Sequence, residues 1–320
     1  MNILAPVNHM EAAVDLIDAG AAEIYLGADD ELFSLYSFTG RGKIGYSGIT
    51  MLNQFAQTKE IIDYAHSKMV KVNFLGNAQF FHNGSFQNKE LESYFLDYIE
   101  KGIEIGADVL VIGDLGLLQA VSKRNYGVEL HASVYFRTVN EQQLLFLKGF
   151  GISRTTLSYQ ITMDEIIDLC GAGIMDIEVM GYLGCSFFNG ACGFLHEFGE
   201  GILDDFDPGV ACKGLYHVND GQEVTGGKIF DAEAGCAICK LGELESAGVK
   251  SLKIVGRGRD HKPVAQVIKL YQKFLGYYRE GFSFHEKQAE IPGWWRKLWC
   301  SKERCKYKSG NPNHTFIIGR

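Results

Sequence analysis

The chain has 320 residues, 46% of them hydrophobic, 22% charged and 12% aromatic, with 38 Gly against 5 Pro and a formal charge of −8. That composition excludes a mainly disordered or collagen-like chain and leaves enough apolar material for about two average domains or one large α/β barrel. No apolar run reaches the roughly 18 residues of a transmembrane helix, and the opening Met1–His9 lacks the basic and apolar parts of a signal peptide, so a cytoplasmic protein is expected.

Taken in chain order, a β-rich run at Ile3–Val7 is followed by helical periodicity over Met10–Ala19. A phrase then appears that recurs: a helix end, Gly with small neighbours, and a short apolar run. It reads Asp18–Gly27 first, and after a helical stretch at Thr58–Lys68 and a run at Val70–Leu75 it returns as Ile105–Gly113, preceded by the helical Glu90–Gly102. Val128–His131 and the helical Glu141–Lys148 follow. Weaker copies are Phe150-Gly151-Ile152 before Thr155–Leu157, Ala172-Gly173-Ile174 before Ile177–Val179, and Ala247-Gly248-Val249 before Leu252–Gly256. Gly in that place is what a helix end needs when the chain turns through the left-handed conformation into a strand. Eight apolar runs alternating with helices predict parallel strands joined by right-handed crossovers, best closed as a (β/α)8 barrel, with a doubly wound open sheet as competitor.

One unit is too long. Between the seventh run, ending near Met180, and the helix near Cys239–Ser246 lies a Gly-rich aromatic excursion with little periodicity. The predicted organisation is a barrel over 1–280, including a cysteine-rich metal-binding excursion at 181–240, and a basic aromatic tail at 281–320. From Lys287 on, eight basic and two acidic residues leave the tail at +6 and the remainder at −14, so only the tail favours nucleic acid, which is not excluded.

All eight cysteines follow residue 169. Without an export signal, their clustering points to metal or redox chemistry rather than a disulfide framework. Cys185, Cys192, Cys212 and Cys236 share the excursion at spacings of 7, 20 and 24. Thiolates suit both Zn²⁺ and iron–sulfur clusters, and the spacing leaves both open, since only Cys236-Ala237-Ile238-Cys239 has the form of a zinc knuckle. A metal centre can stand in for a missing hydrophobic core.

Glu178 lies in a strand between apolar Ile177 and Val179, so it points opposite to them, to the barrel centre or to the helices. It is a candidate for proton transfer, as are His131 and Asp114, which end the fifth and fourth predicted strands on the face where such barrels place active sites. Structural roles compete for each. Lys253, Arg257 and Arg259 surround the end of the eighth strand and form a candidate anion site. Gly40–Gly45 matches G-x-G-x-x-G but opens no evident helix, and no G-x-S-x-G, H-E-x-x-H or Walker motif occurs. In the tail, Trp294, Trp295 and Trp299 interleave with Arg296, Lys297, Lys302 and Arg304, a pattern for single-stranded nucleic acid, a membrane surface or a protein partner, or for docking back on the barrel. Cys170 reads as a helix-end thiol, and Cys300 and Cys305 offer only two ligands toward a second metal.

The stretch Glu178–Cys192, with Gly190-Ala191 before its second cysteine, resembles the signature of the peptidase U32 family. Ile3-Leu4-Ala5-Pro6, Tyr25-Leu26-Gly27, Gly113–Gly116, Leu130–Ser133 and Ser251–Arg257 resemble other family segments, so the resemblance covers residues 1 to about 280. It departs in being one residue short between Glu178 and Cys185 and in having Met180 where Phe is common. The resemblance implies a [4Fe-4S] cluster held by Cys185, Cys192, Cys212 and Cys236, with Cys239 a substitute ligand or a plain thiol, and Zn²⁺ as the alternative metal. It further implies oxygen-independent hydroxylation of RNA or a small molecule, with a carboxylate such as prephenate as oxygen donor and a second U32-like subunit as possible partner. The alternatives are a peptidase, after the family's inherited name, and a non-catalytic Fe–S scaffold.

Overall fold

The computed structural model describes residues 1–28, 30, 54–77, 89–182, 216–219, 224–227, 235–256 and 260–299. The first half runs β1 (Asn2–Pro6), α1 (Met10–Asp18), β2 (Glu23–Leu26), α2 (Phe55–Ser67), β3 (Lys71–Gly76), α3 (Lys89–Glu104), β4 (Val109–Ile112) and α4 (Leu115–Ser122). The second half runs β5 (Glu129–Ala132), α5 (Glu141–Lys148), β6 (Ile152–Thr156), α6 (Met163–Gly171) and β7 (Asp176–Tyr182). A hairpin of β8 (Tyr216–Asn219) and β9 (Val224–Gly227) lies within the excursion, and α7 (Leu241–Ala247), β10 (Ser251–Ile254) and α8 (His261–Arg279) complete the circuit. The strands close as β1-β10-β7-β6-β5-β4-β3-β2, every pair parallel, which is the predicted (β/α)8 barrel. No helix among the described residues is long and apolar enough to cross a membrane.

The alternation of each strand sorts its side chains. Ile3, Ile24, Phe74, Leu110, Ile112, Ile177, Val179 and Leu252 point outward and are sealed under the helices in one continuous core. Burial of each such side chain is worth about 1.5–3 kcal/mol. The helices meet them with matching stripes: Ala12, Ala13, Leu16 and Ile17 on α1, and Val264, Val267, Ile268, Tyr271 and Leu275 on α8. Starts are fixed by caps, such as the reciprocal Thr162–Glu165 box on α6. At the helix ends the recurring glycines Gly20, Gly106, Gly151, Gly173 and Gly248 all have positive φ, between 61° and 108°.

The excursion is not without secondary structure, because β8 and β9 pair antiparallel with Tyr216 opposite Gly227. Of the readings open for the tail, its described part takes docking back on the barrel: α9 (Phe284–Lys287) and α10 (Gly293–Trp299) pack there. Trp295 is fully buried, stacked on Tyr182 at 5.6 Å and edge-on to Tyr271 at 5.9 Å. Arg296 turns back to donate to the Gln288 and Ala289 carbonyls, so it serves the tail's own fold.

Candidate active site at the C-terminal end of the barrel

The lumen is two-sided. Leu4, Tyr25, Leu75, Val109 and Val111, from β1 to β4, form a small apolar cluster separate from the main core. The other strands send polar side chains inward: His131 from β5, Arg154 and Thr156 from β6, Glu178 from β7, and Ser251 and Lys253 from β10, all but Lys253 fully buried. Glu178 therefore faces the barrel centre, the first of its two predicted orientations.

Charges in that space are held by one another. Arg154 Nη1 reaches across to Glu23 on β2, donating at 3.0 and 2.8 Å to its two carboxylate oxygens. Glu23 also accepts from Asn2 at 2.8 Å and Asn73 at 3.2 Å. Burial pushes the Glu23 carboxyl up, but the guanidinium and these bonds outweigh it and hold it below the usual range. Glu178 accepts a 2.7 Å bond from the Thr156 hydroxyl, with Lys253 Nζ 3.5 Å from the same oxygen and Arg154 4.0 Å from the other. The Lys253 ammonium also sits 4.3 Å over the Tyr25 ring, whose hydroxyl donates to the Ile254 carbonyl. His131 lies 3.2 Å from Glu129, and burial keeps it below the ordinary histidine value.

Above this network, at the C-terminal ends of the strands, Met180, Val134 and Tyr159 form an apolar roof. Here the excursion leaves and returns. It departs after Tyr182, and its returning strand bridges Tyr182 through Cys236. Ala237 N donates to the Gly181 carbonyl at 2.8 Å, and Gly235 N to the Tyr159 hydroxyl at 2.7 Å. Gly181 is required because a Cβ there would lie 2.3 Å from the Leu252 side chain. Cys236 is thus pinned, 3% exposed, beside the last turn of β7.

The structure brings Glu178, His131 and Lys253 into one lumen and sets Cys236 beside the C-terminal end of β7, in the core under the helices. Asp114, just past the end of β4, caps α4, accepting from Leu117 N at 2.9 Å, and burial raises its pKa. Cys239 is half-buried in the turn after Cys236, and Cys170 lies on α6. Cys185, Cys192, Cys212, Cys300, Cys305, Arg257 and Arg259 lie outside the described residues. Sequence reasoning missed Glu23, Asn73, Arg154 and Thr156. The readable signal was a polar side chain at every second position of a short apolar strand, the pattern that exposed Glu178.

The family model described as peptidase family U32 matches residues 8–311. The chain is 24% identical over 284 residues to the 23S rRNA 5-hydroxycytidine C2501 synthase of Escherichia coli (strain K12), covering 86% of this chain and 39% of that protein. It is 24% identical over 256 residues to the tRNA hydroxylation protein P2 of Bacillus subtilis (strain 168), covering 76% of this chain and 80% of the relative. Against the tRNA hydroxylation protein P of Escherichia coli (strain K12) the figures are 28% over 260 residues, 63% and 56%. The chain therefore spans less than two thirds of the length of two of these three relatives. The solved structure of the U32 peptidase Mk0906 superposes with a TM-score of 0.51 at 11% identity, covering 80% of this chain and 93% of that one, a likeness of fold alone.

Proposed function

Because the chain belongs to peptidase family U32, we propose that it takes part in the oxygen-independent hydroxylation of an RNA base in the cytoplasm, at the C-terminal end of the barrel. The observation that supports this most directly is that the relatives are an rRNA hydroxycytidine synthase and two tRNA hydroxylation proteins. The site agrees with it in kind. Its polar lumen lies beneath the face where barrels of this type do chemistry, under Met180, Val134 and Tyr159, and the cysteine-rich excursion is fastened to that face.

Cys185, Cys192, Cys212 and Cys236 are the residues that would hold a [4Fe-4S] cluster. Cys236, the one within the described residues, fits that duty: it is buried, bridges Tyr182 at the end of β7 and lies beside Tyr271, in apolar surroundings that keep water from soft ligands. A cluster held by these cysteines would supply one-electron chemistry. The remaining work falls to the lumen. Lys253, the most accessible of its cations, orients the carboxylate of a prephenate-like donor by exchanging its long 3.5 Å contact with Glu178. Glu178, kept in place by Thr156, then takes up a proton from the substrate side.

The test is nucleoside mass spectrometry on rRNA and tRNA from cells lacking the gene. One hydroxylated nucleoside is expected to revert to its parent, and to return with the wild-type gene but not with Cys236→Ala or Glu178→Gln. An unchanged nucleoside profile would overturn the reading. Anaerobic purification should give a brown protein with about four iron and four sulfide per chain, whereas a colourless protein with stoichiometric zinc would rule out the cluster.

A further inference from the structure

Away from the lumen, the first and last units of the barrel meet at a cluster that the hydroxylation reading does not use. β1 and β10 are hydrogen-bonded neighbours, so the helices that follow them, α1 and α8, pack side by side at the closing seam. Glu11 and Asp15 stand one turn apart on α1 and so share a face. His261 opens α8, with its side chain only 11% exposed. Glu11 Oε1, Asp15 Oδ2 and His261 Nε2 all lie within 4.8 Å of one another.

The geometry is not that of an ordinary histidine–carboxylate pair. His261 Nε2 is buried and makes no hydrogen bond, although Asp15 Oδ2 is 3.1 Å away and Glu11 Oε1 3.7 Å away. In a hydrogen bond the oxygen sits on the axis of the ring nitrogen. An oxygen that shares a metal with that nitrogen sits off the axis, and two donors each about 2.1 Å from one ion stand roughly 3–3.7 Å apart. The neighbours fit the same picture. His9 is engaged elsewhere: its Nδ1 accepts from Ala12 N as the cap of α1, and its ring stands edge-on to His261 at 5.0 Å. Asp260, which caps α8 by accepting from Lys262 N, places the same Oδ1 3.9 Å from His261 Nδ1, too far for a hydrogen bond but adding negative charge beside the ring. Three carboxylates around this helix start also exclude an anion there.

We propose that Glu11, Asp15 and His261 form a binding site for a divalent first-row metal ion, which staples α1 to α8 across the seam of the barrel. One imidazole with two carboxylates suits Zn²⁺, Fe²⁺ or Mn²⁺ rather than Ca²⁺ or Mg²⁺, which prefer oxygen alone. Glu11 is 67% exposed and Asp15 41%, so the ion exchanges with solvent.

Mn²⁺ is the suitable probe, because it avoids the thiolates that would capture Zn²⁺ elsewhere in the chain. The full chain, with its cysteine centre loaded, is titrated with Mn²⁺ and the free ion counted by electron paramagnetic resonance. About one Mn²⁺ per chain is expected to bind, to be displaced by Zn²⁺, and to raise the melting midpoint. Glu11→Gln changes an exposed carboxylate and Asp15→Asn a half-exposed one, with the side-chain shape kept; each should weaken binding by roughly tenfold or more, and His261→Ala should abolish it. Absence of bound Mn²⁺ in the wild type, or equal binding by Asp15→Asn, would overturn the proposal. Neither outcome touches the hydroxylation reading, whose nucleoside readout is separate.

Discussion

Glu23 and Arg154 face each other across the barrel with 1% and 3% of their surface exposed, so neither charge has water to fall back on. Glu23→Gln should leave the buried guanidinium with only the distant Glu178 carboxylate, 4.0 Å away, at a cost of about 3 kcal/mol in urea unfolding. A loss below about 1 kcal/mol would mean that water reaches this part of the lumen. His131 adds a pH signature. Its folded value lies below the ordinary 6.5 because the ring is buried, so the unfolded chain binds the extra proton first. Stability from this residue is in place above 6.5 and is lost as pH falls through the depressed value; His131→Asn should flatten that limb of the stability curve while leaving the alkaline side unchanged. Glu178, His131 and Lys253 were legible as candidates because each is a polar residue at the inner position or end of an apolar strand. Their partners were not, because an ion pair 131 residues apart in the chain leaves no local trace.

Among the elements, the recurring glycines were readable because their need is purely local: a left-handed turn after a helix. The unit that breaks the pattern supports the same physics. After α2 the chain turns through Met69 at φ +59°, with Val70 N bonded back to the Ala65 carbonyl and the Met69 side chain 95% exposed. Met69→Gly sheds the strain of that conformation and loses no packing, so denaturant unfolding should show a gain of about 1 kcal/mol. Gly248→Ala, at φ +92°, should lose a similar amount. The hairpin of β8 and β9 escaped notice because its four-residue strands are held by pairing rather than by a hydrophobic pattern. The docking of α10 on the barrel, the outcome favoured for this aromatic stretch, depends on Trp295; Trp295→Ala should cost about 3–5 kcal/mol or release the tail, read by protease sensitivity beyond residue 281.

For the whole molecule, the closed barrel was legible from eight alternating runs, while the site was legible only in parts, because its donors come from strand ends and from an excursion with its own logic. The excursion is tied to the barrel at its two ends, at Tyr182 and at Gly235–Ala237, and Cys236 lies in the returning tie. If the cluster is what gathers the chain between those ties, removing one ligand removes both the metal and the order it imposes. Cys185→Ala, Cys192→Ala, Cys212→Ala and Cys236→Ala should each abolish the iron chromophore and make residues 181–240 protease-sensitive, with the barrel still folded by circular dichroism. Cys170→Ala should leave the spectrum intact, because its thiol is pushed by burial up to about 11 and stays protonated on α6, where it is no ligand. Cys239 lies three residues past Cys236 in the same turn, close enough to substitute. Iron retained in Cys236→Ala and lost in Cys239→Ala would move the fourth ligand to Cys239 and re-aim the excursion across the strand ends.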